Sequence, residues 1–303
     1  GGRRGGGGHV TRPGGTVITP AVLRDWPLPG VEGGKESRGR AVVVGGSVQN
    51  PGALILAAEA SLRAGAGKSQ VVAPDPVAVP IGVAVPGALV EGGPVAGAGD
   101  LAPEASGFVA ELCPEAEAVL IGPGLLDPAG AADLVAACAP HVSTVLVLDA
   151  LGLAWVTPDP SRVRDFAGRC VLSPNLAELA LVLGEDADAV QADQAGATLR
   201  LAAATGAVVT SGGTTTWIAT PEGALWRAED GGPGLGVSGS GDVKAGIVLG
   251  LCARGADPAQ AAVWGAYLHG AIGGRLASRY GPYGYLSREL PAEIPQALLE
   301  VAR

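Results

Sequence analysis

The chain has no methionine, three lysines, three histidines, four cysteines and only 4% aromatic residues, and each shortage closes a line of interpretation. With so few lysines and a formal net charge of −9, the surface is unsuited to holding nucleic acid through its phosphates. Any phosphate site is therefore local. Cys113, Cys138, Cys170 and Cys252 stand far apart without C-x-x-C spacing, and read as reduced, mostly buried thiols. His9, His141 and His269 have no metal-ligand spacing, so structural zinc is unsupported. No apolar run approaches the roughly 18 uncharged residues of a membrane span, and no apolar signal segment opens the chain. A soluble, cytoplasmic protein without membrane partners is expected. The missing methionine, initiator included, marks the N-terminus as processed, truncated or incomplete and carries no functional reading.

Glycine and alanine are what the chain has in quantity, with 50 glycines in 303 residues. Residues 1–15, with Gly5 to Gly8 in a row among Arg3, Arg4 and Arg12, cannot bury enough apolar surface to offset their ordering entropy. They are expected to form a disordered tail before a single domain over 16–303. From Arg40 onward, short apolar runs (41–44, 70–73, 118–121, 145–148, 170–172 and 207–210) alternate with alanine-rich segments of helical length (52–64, 128–138, 176–183 and 193–204). Continuous apolar strands are covered on both faces, so the rhythm predicts a three-layer α/β/α fold with a mostly parallel central sheet. Segments 215–219 and 224–227 flank Thr220-Pro221-Glu222-Gly223 and predict a hairpin. Helices are expected over 242–253, 258–279 and 287–302.

Parallel sheets bind ligands beyond the carboxyl ends of their strands. Gly45-Gly46-Ser47, Gly122-Pro123-Gly124, Ser173-Pro174-Asn175 and Ser211-Gly212-Gly213 all follow predicted strands, and together they outline one cleft. The most informative stretch is 231–246, in which Gly239-Ser240-Gly241 delivers Asp242 to the start of a helix. Free amides and the helix dipole make that position an anion site. A carboxylate beside a bound anion opposes binding, which makes sense if Asp242 accepts a proton from a hydroxyl attacking phosphate. The plainer alternative is that Asp242 is an N-cap and the glycines a turn.

Two look-alikes fail. Gly67-Lys68-Ser69 resembles the end of a P-loop, but Leu62 stands where the first glycine belongs, and the segment leaves a helix to enter a strand. Gly236-Val237-Ser238-Gly239-Ser240 approaches a nucleophile elbow, but serine replaces the final glycine; a triad with Asp257 and His269 is disfavoured.

Five motifs occur in order: Gly45-Gly46-Ser47 with Gly52-Ala53; 63–67 (RAGAG); 121–124 (IGPG); Ser173-Pro174-Asn175 with Glu178; and Gly239-Ser240-Gly241-Asp242 followed by Gly246. With the tail motifs Leu268-His269-Gly270 and 281–286 (GPYGYL), the chain from about Thr16 to Pro295 resembles the NAD(P)H-hydrate dehydratase family of the ribokinase-like superfamily. The resemblance implies repair of hydrated NADH and NADPH at the expense of ADP or ATP with Mg²⁺, most simply ADP giving AMP and phosphate. It assigns Asp242 as catalytic base. Gly52, Ala53, Gly124 and Asn175, with Asp242, would contact the hydrated dinucleotide. Ser211, Gly212, Gly213, Thr214 and Thr215, with Gly239, Ser240 and Gly241, would hold the adenine nucleotide and its phosphoryl oxygens. No protein metal ligand is assigned. A homo-oligomer, as a tetramer, and cooperation with a separate NAD(P)H-hydrate epimerase are expected partners.

Departures from the family pattern concern activity more than fold. Ser211 stands where many members have lysine, and Lys244 either compensates or points to solvent. An acidic pair is reduced to Asp149, with Leu151 in the second position. Asn175 replaces a frequent histidine and keeps hydrogen-bonding capacity; Asn50 replaces a tyrosine. The competing readings are a small-molecule kinase of the same superfamily, acting on a sugar or vitamin-precursor alcohol, and a catalytically poor nucleotide-binding protein.

Overall fold

The computed structural model describes residues 14–30, 34–35, 37–97 and 99–302. The expected tail lies almost wholly outside the described residues, as does His9. Strands β1 (Thr16–Val17), β2 (Arg40–Val44), β3 (Lys68–Pro74), β4 (Ala88–Gly93), β5 (Val95–Ala96) and β6 (Asp100–Leu101) fall in the first third of the chain. β7 (Ala118–Ile121), β8 (Val145–Asp149), β9 (Cys170–Ser173), β10 (Val208–Ser211), β11 (Thr216–Ala219) and β12 (Leu225–Ala228) follow. All but β5 and β6 join one 10-stranded sheet in the order β1-β12-β11-β10-β9-β8-β7-β2-β3-β4. From β10 to β4 every neighbouring pair is parallel. The expected hairpin is present as antiparallel β11 and β12, with Ala219 opposite Leu225.

Helices α1 (Pro20–Arg24), α2 (Gly52–Ala64), α3 (Asp75–Ala84), α4 (Ser106–Leu112) and α5 (Pro128–Cys138) precede α6 (Leu176–Leu183), α7 (Ala187–Ala192) and α8 (Gln194–Thr205). They are followed by α9 (Ser240–Ala253), α10 (Pro258–Tyr280) and α11 (Leu290–Ala302). The sheet separates two cores, and a single strand serves both: Val43 of β2 packs on the side of α2, α9, α10 and α11, while Val42 and Val44 face α5. That is why β2 reads as an unbroken apolar run. The expected three-layer arrangement is the observed one. Among the described residues, no helix is long and apolar enough to cross a membrane.

Two glycines bring the layer beneath the site together. A Cβ on Gly246 would lie 2.4 Å from the Ala57 carbonyl oxygen, and one on Gly250 2.3 Å from that of Ser61. Backbone therefore rests on backbone where α9 crosses α2, and any larger side chain forces the helices apart. This contact places the starts of both helices on the same rim.

Candidate active site

The carboxyl ends of β8, β9 and β10, the loop before α9 and the middle of α10 enclose a cleft of about 860 Å³. It is lined by Asn175, Gly212, Gly213, Thr214, Gly239, Ser240, Gly241 and Asp242 from the residues singled out in the sequence. Asp149, Glu178, Glu229, Asp230, Lys244 and His269 also line it. Ser211, Thr215, Gly52, Ala53 and Gly124 do not. Ser211 is fully buried below the rim, where Gln194 Nε2 donates to its Oγ at 2.9 Å and to its carbonyl oxygen at 3.1 Å. Gly52, Ala53 and Gly124 meet at the ends of β2 and β7 instead: a Cβ on Gly124 would lie 2.7 Å from the Asn50 carbonyl oxygen and 3.2 Å from the Ala53 Cβ.

Gly239, the residue before α9, is in a left-handed conformation, φ +89°, with Leu56 and Ser287 crowding the space a Cβ would take. Glycine is required there on both counts. No side chain caps this helix, so the plainer reading of Asp242 as an N-cap does not hold: Asp242 is the third helical residue. The Ser240 amide donates back to the Val237 carbonyl at 3.2 Å, and the Val243 amide to that of Gly239 at 3.2 Å. Between them, the amides of Gly241 and Asp242 have no acceptor one turn back and can serve an anion. Likewise, the Gly212 amide already donates to the Pro174 carbonyl at 2.9 Å, which moves the donor capacity of that loop to Gly213 and Thr214.

Asn175 caps α6 in a reciprocal box: its Oδ1 accepts from the Glu178 amide at 2.9 Å, and Glu178 Oε2 accepts from the Asn175 amide at 2.9 Å. The Asn175 side-chain amide nitrogen is left for the cleft. The same box holds the Glu178 carboxylate near the other acids. Burial, with Glu178 adding repulsion, lifts the Asp242 carboxyl to about 6. Burial raises Asp149 to about 8, with Asp242 and Glu178 adding repulsion and Lys244 opposing it. Glu178 is raised too, chiefly by burial.

Ser240 Oγ lies 2.8 Å from His269 Nε2, a pairing between residues 29 apart that α9 and α10 create by crossing. Burial, helped by the Lys244 charge, presses His269 down to about 3, so the imidazole is neutral. His269, on the alanine-rich helix α10, finds its partner in Ser240. The Asn175-x-x-Glu178 spacing is that of a capping box, but nothing in the sequence puts Glu178 in the acid cluster. Glu229 and Asp230 carried no signal beyond preceding a glycine run.

Chemically, the cleft combines free amides at a helix start, one base of moderately raised pKa, and a neighbouring loop of glycine and threonine. That set suits proton removal from a hydroxyl beside a bound phosphate.

Comparison with known proteins agrees. Residues 41–296 match the family model described as NAD(P)H-hydrate dehydratase. An ADP-dependent (S)-NAD(P)H-hydrate dehydratase of Xanthomonas campestris is 41% identical over 97% of this chain and 100% of its own length. The bifunctional NAD(P)H-hydrate repair enzyme Nnr of Moorella thermoacetica is 34% identical over 93% of this chain, which spans 53% of that longer protein. The crystal structure of the ADP/ATP-dependent NAD(P)H-hydrate dehydratase of Bacillus subtilis, co-crystallized with ATP/Mg²⁺, superposes with a TM-score of 0.77 at 25% identity, covering 95% of this chain and 99% of that one. On this match, together with the rim glycines and the uncapped helix start at Asp242, the chain belongs to the NAD(P)H-hydrate dehydratase family.

Proposed function

We propose that this protein dehydrates hydrated NADH and NADPH at the expense of an adenine nucleotide, with ADP as the preferred donor. The observation that carries the reading is Asp242, an uncapped third helical residue whose carboxyl stands near 6 beside the free amides of the first turn of α9. The name of the Xanthomonas relative supports ADP as donor.

Hydroxide is a poor leaving group, so the chemistry runs in two stages. Asp242 takes the proton as the hydrate oxygen attacks the terminal phosphorus, and the bond from that phosphorus to the bridging oxygen breaks, releasing AMP when ADP is the donor. The amides of Gly241 and Asp242 stabilise the charge on the transferring group. The ring nitrogen's lone pair then expels inorganic phosphate, and loss of a proton from the adjacent carbon restores the double bond. Gly213 and Thr214 face the donor nucleotide. Asn175, with the patch formed by Gly52, Ala53 and Gly124, faces the dinucleotide.

Asp149 and Glu178 offer hard oxygen donors suited to magnesium. Among the described residues, no group of three His, Cys, Asp or Glu is arranged to hold an ion unaided. This donor set fits an ion that travels with phosphate, keeps most of its waters and takes one or two carboxylates, here Asp149 and Glu178. Held by these residues, magnesium would neutralise phosphate charge. The family resemblance adds a homo-oligomer and a cytoplasmic location to this proposal. The bifunctional relatives suggest an epimerase as the functional partner.

The test is recovery of the reduced-nicotinamide absorbance on mixing protein, Mg²⁺, hydrated NADH and ADP, with AMP and phosphate formed in equal amounts. A stable phosphate ester of an added sugar or vitamin-precursor alcohol, with no recovered band, would assign the protein to the small-molecule kinases instead.

A further inference from the structure

Lys244 is one of three lysines in the chain, and the only one in the cleft. It is 6% exposed. Its Nζ donates to the Thr210 carbonyl oxygen at 3.4 Å, a long contact, and lies 3.3 Å from where a Cβ on Gly212 would sit. Among the described residues, Lys244 forms no ion pair within 4.0 Å; burial pulls its pKa below the ordinary lysine value, and Asp149 and Glu178, acting through space, oppose that and favour the charged form. An ammonium has three donors, and a single long bond leaves two of them without a protein acceptor. Burying a charge in that condition is costly unless another anion completes the site.

The surroundings say where that anion sits. Four elements face Lys244: the end of β8 with Asp149, the start of α6 with Glu178, α10 with His269, and β10 with its following loop. The first two bring acid and the third a neutral imidazole. Only the loop side, at Gly212, offers backbone without a side chain, and it opens into the cleft. Ser211 cannot supply a cation there, because it is a serine turned toward Gln194 and fully buried. The free amides of Gly241 and Asp242 lie on the same helix, within one turn of Lys244.

We propose that Lys244 is a phosphate-binding residue, contacting the terminal phosphoryl group of the donor nucleotide from beneath the loop at Gly212. The inference rests on the nucleotide-dependent reading above and adds the cation that receives the phosphate. Asp149 and Glu178 act on Lys244 only through space, so neither pairs with it in competition with phosphate.

Three measurements test this. Calorimetric titration of the wild type and Lys244→Met with ADP·Mg²⁺ and with adenosine should show ADP affinity falling by roughly 10–100-fold, the range expected for a charge-assisted hydrogen bond. Adenosine affinity should change by less than about 3-fold, since no phosphate contact is involved. Alkylating Lys244→Cys with 2-bromoethylamine rebuilds an ammonium and should restore ADP affinity; the native cysteines are all buried, and burial pushes Cys113 up to about 11 and Cys138 and Cys170 up to about 12. In the wild type itself, with carbon-13 at lysine Cε, three resonances are expected, and the one that survives Lys35→Arg and Lys68→Arg belongs to Lys244. It should shift with ADP and not with adenosine, which keeps the question answerable if Lys244→Met fails to fold. Wild-type ADP binding and dehydration with an unmoved Lys244 resonance, or with unchanged affinity in Lys244→Met, overturns this inference and leaves the functional reading standing. A folded wild type that binds no ADP overturns both.

Discussion

Ser240 Oγ and His269 Nε2 form a 2.8 Å hydrogen bond directly beneath the anion site, and the histidine is held neutral by burial and by Lys244. A neutral imidazole can orient the serine hydroxyl without adding charge to a cleft that already contains five acids and a lysine. His269 should therefore show no titration between pH 5 and 8 when followed by its nitrogen-15 chemical shifts. His269→Ala should lower stability by about 1–3 kcal/mol, the cost of leaving a buried polar partner unmade. A midpoint near the ordinary histidine value of 6.5 would contradict this account.

Asp242 works as a base only when ionised. With its carboxyl lifted to about 6, kcat/KM should be level above neutrality and fall with a one-proton slope as pH drops through about 6. An ordinary exposed aspartate would place that limb two units lower, so a profile still flat at pH 5 would remove the desolvated base from the mechanism.

The same shift has a stability consequence of opposite sign. A carboxyl raised in the folded state favours folding while protonated, and that contribution is lost as pH rises from the unfolded value of about 3.9 through about 6. Asp242→Asn cannot ionise, so it should match the wild type in Tm near pH 4 and exceed it above pH 6. Equal melting temperatures at pH 7.5 would show that the carboxylate is better solvated than this account holds.

Ala150 is the one non-glycine residue with positive φ among the described residues, at +48°. It follows Asp149, and both residues line the cleft wall. Ala150→Gly should relieve the left-handed strain and stabilise the protein by a net of about 0.5–1 kcal/mol after the extra glycine entropy, read from the urea midpoint at constant m. A lower midpoint would mean that the conformation is not strained.

Much of this was legible in the sequence because a doubly covered parallel strand leaves a plain apolar run, and because glycine marks where backbone must turn or approach closely. β2, β7, β8 and β9 were read that way, as were the rim loops and Asp242. The unit of α3 and β4 was not, since Pro76 and Pro80 look like breakers although α3 carries one near its start and one inside. β4 is an edge strand ending in two glycines, with no continuous apolar stretch to declare it. The direction of Lys244 was also hidden: α9 is buried almost all round, so no polar face shows which way a charged residue turns. Nor could the distribution of amides be read, because Val237 and Pro174 take the donors of Ser240 and Gly212 through turns that only the fold defines. The patch at Gly52, Ala53 and Gly124 belongs to the same rim by topology but stands outside the cleft that Asp242 lines.

The central claim is that Asp242 removes the proton from the hydrate hydroxyl. The most direct measurement compares wild type and Asp242→Asn for ADP affinity and for the rate at which hydrated NADH regains its absorbance. This account predicts unchanged or tighter ADP binding, since a negative charge beside the phosphate is gone, with turnover lowered by roughly 10²–10⁴-fold. Turnover within a few-fold of the wild type, in folded protein that binds ADP, would contradict it.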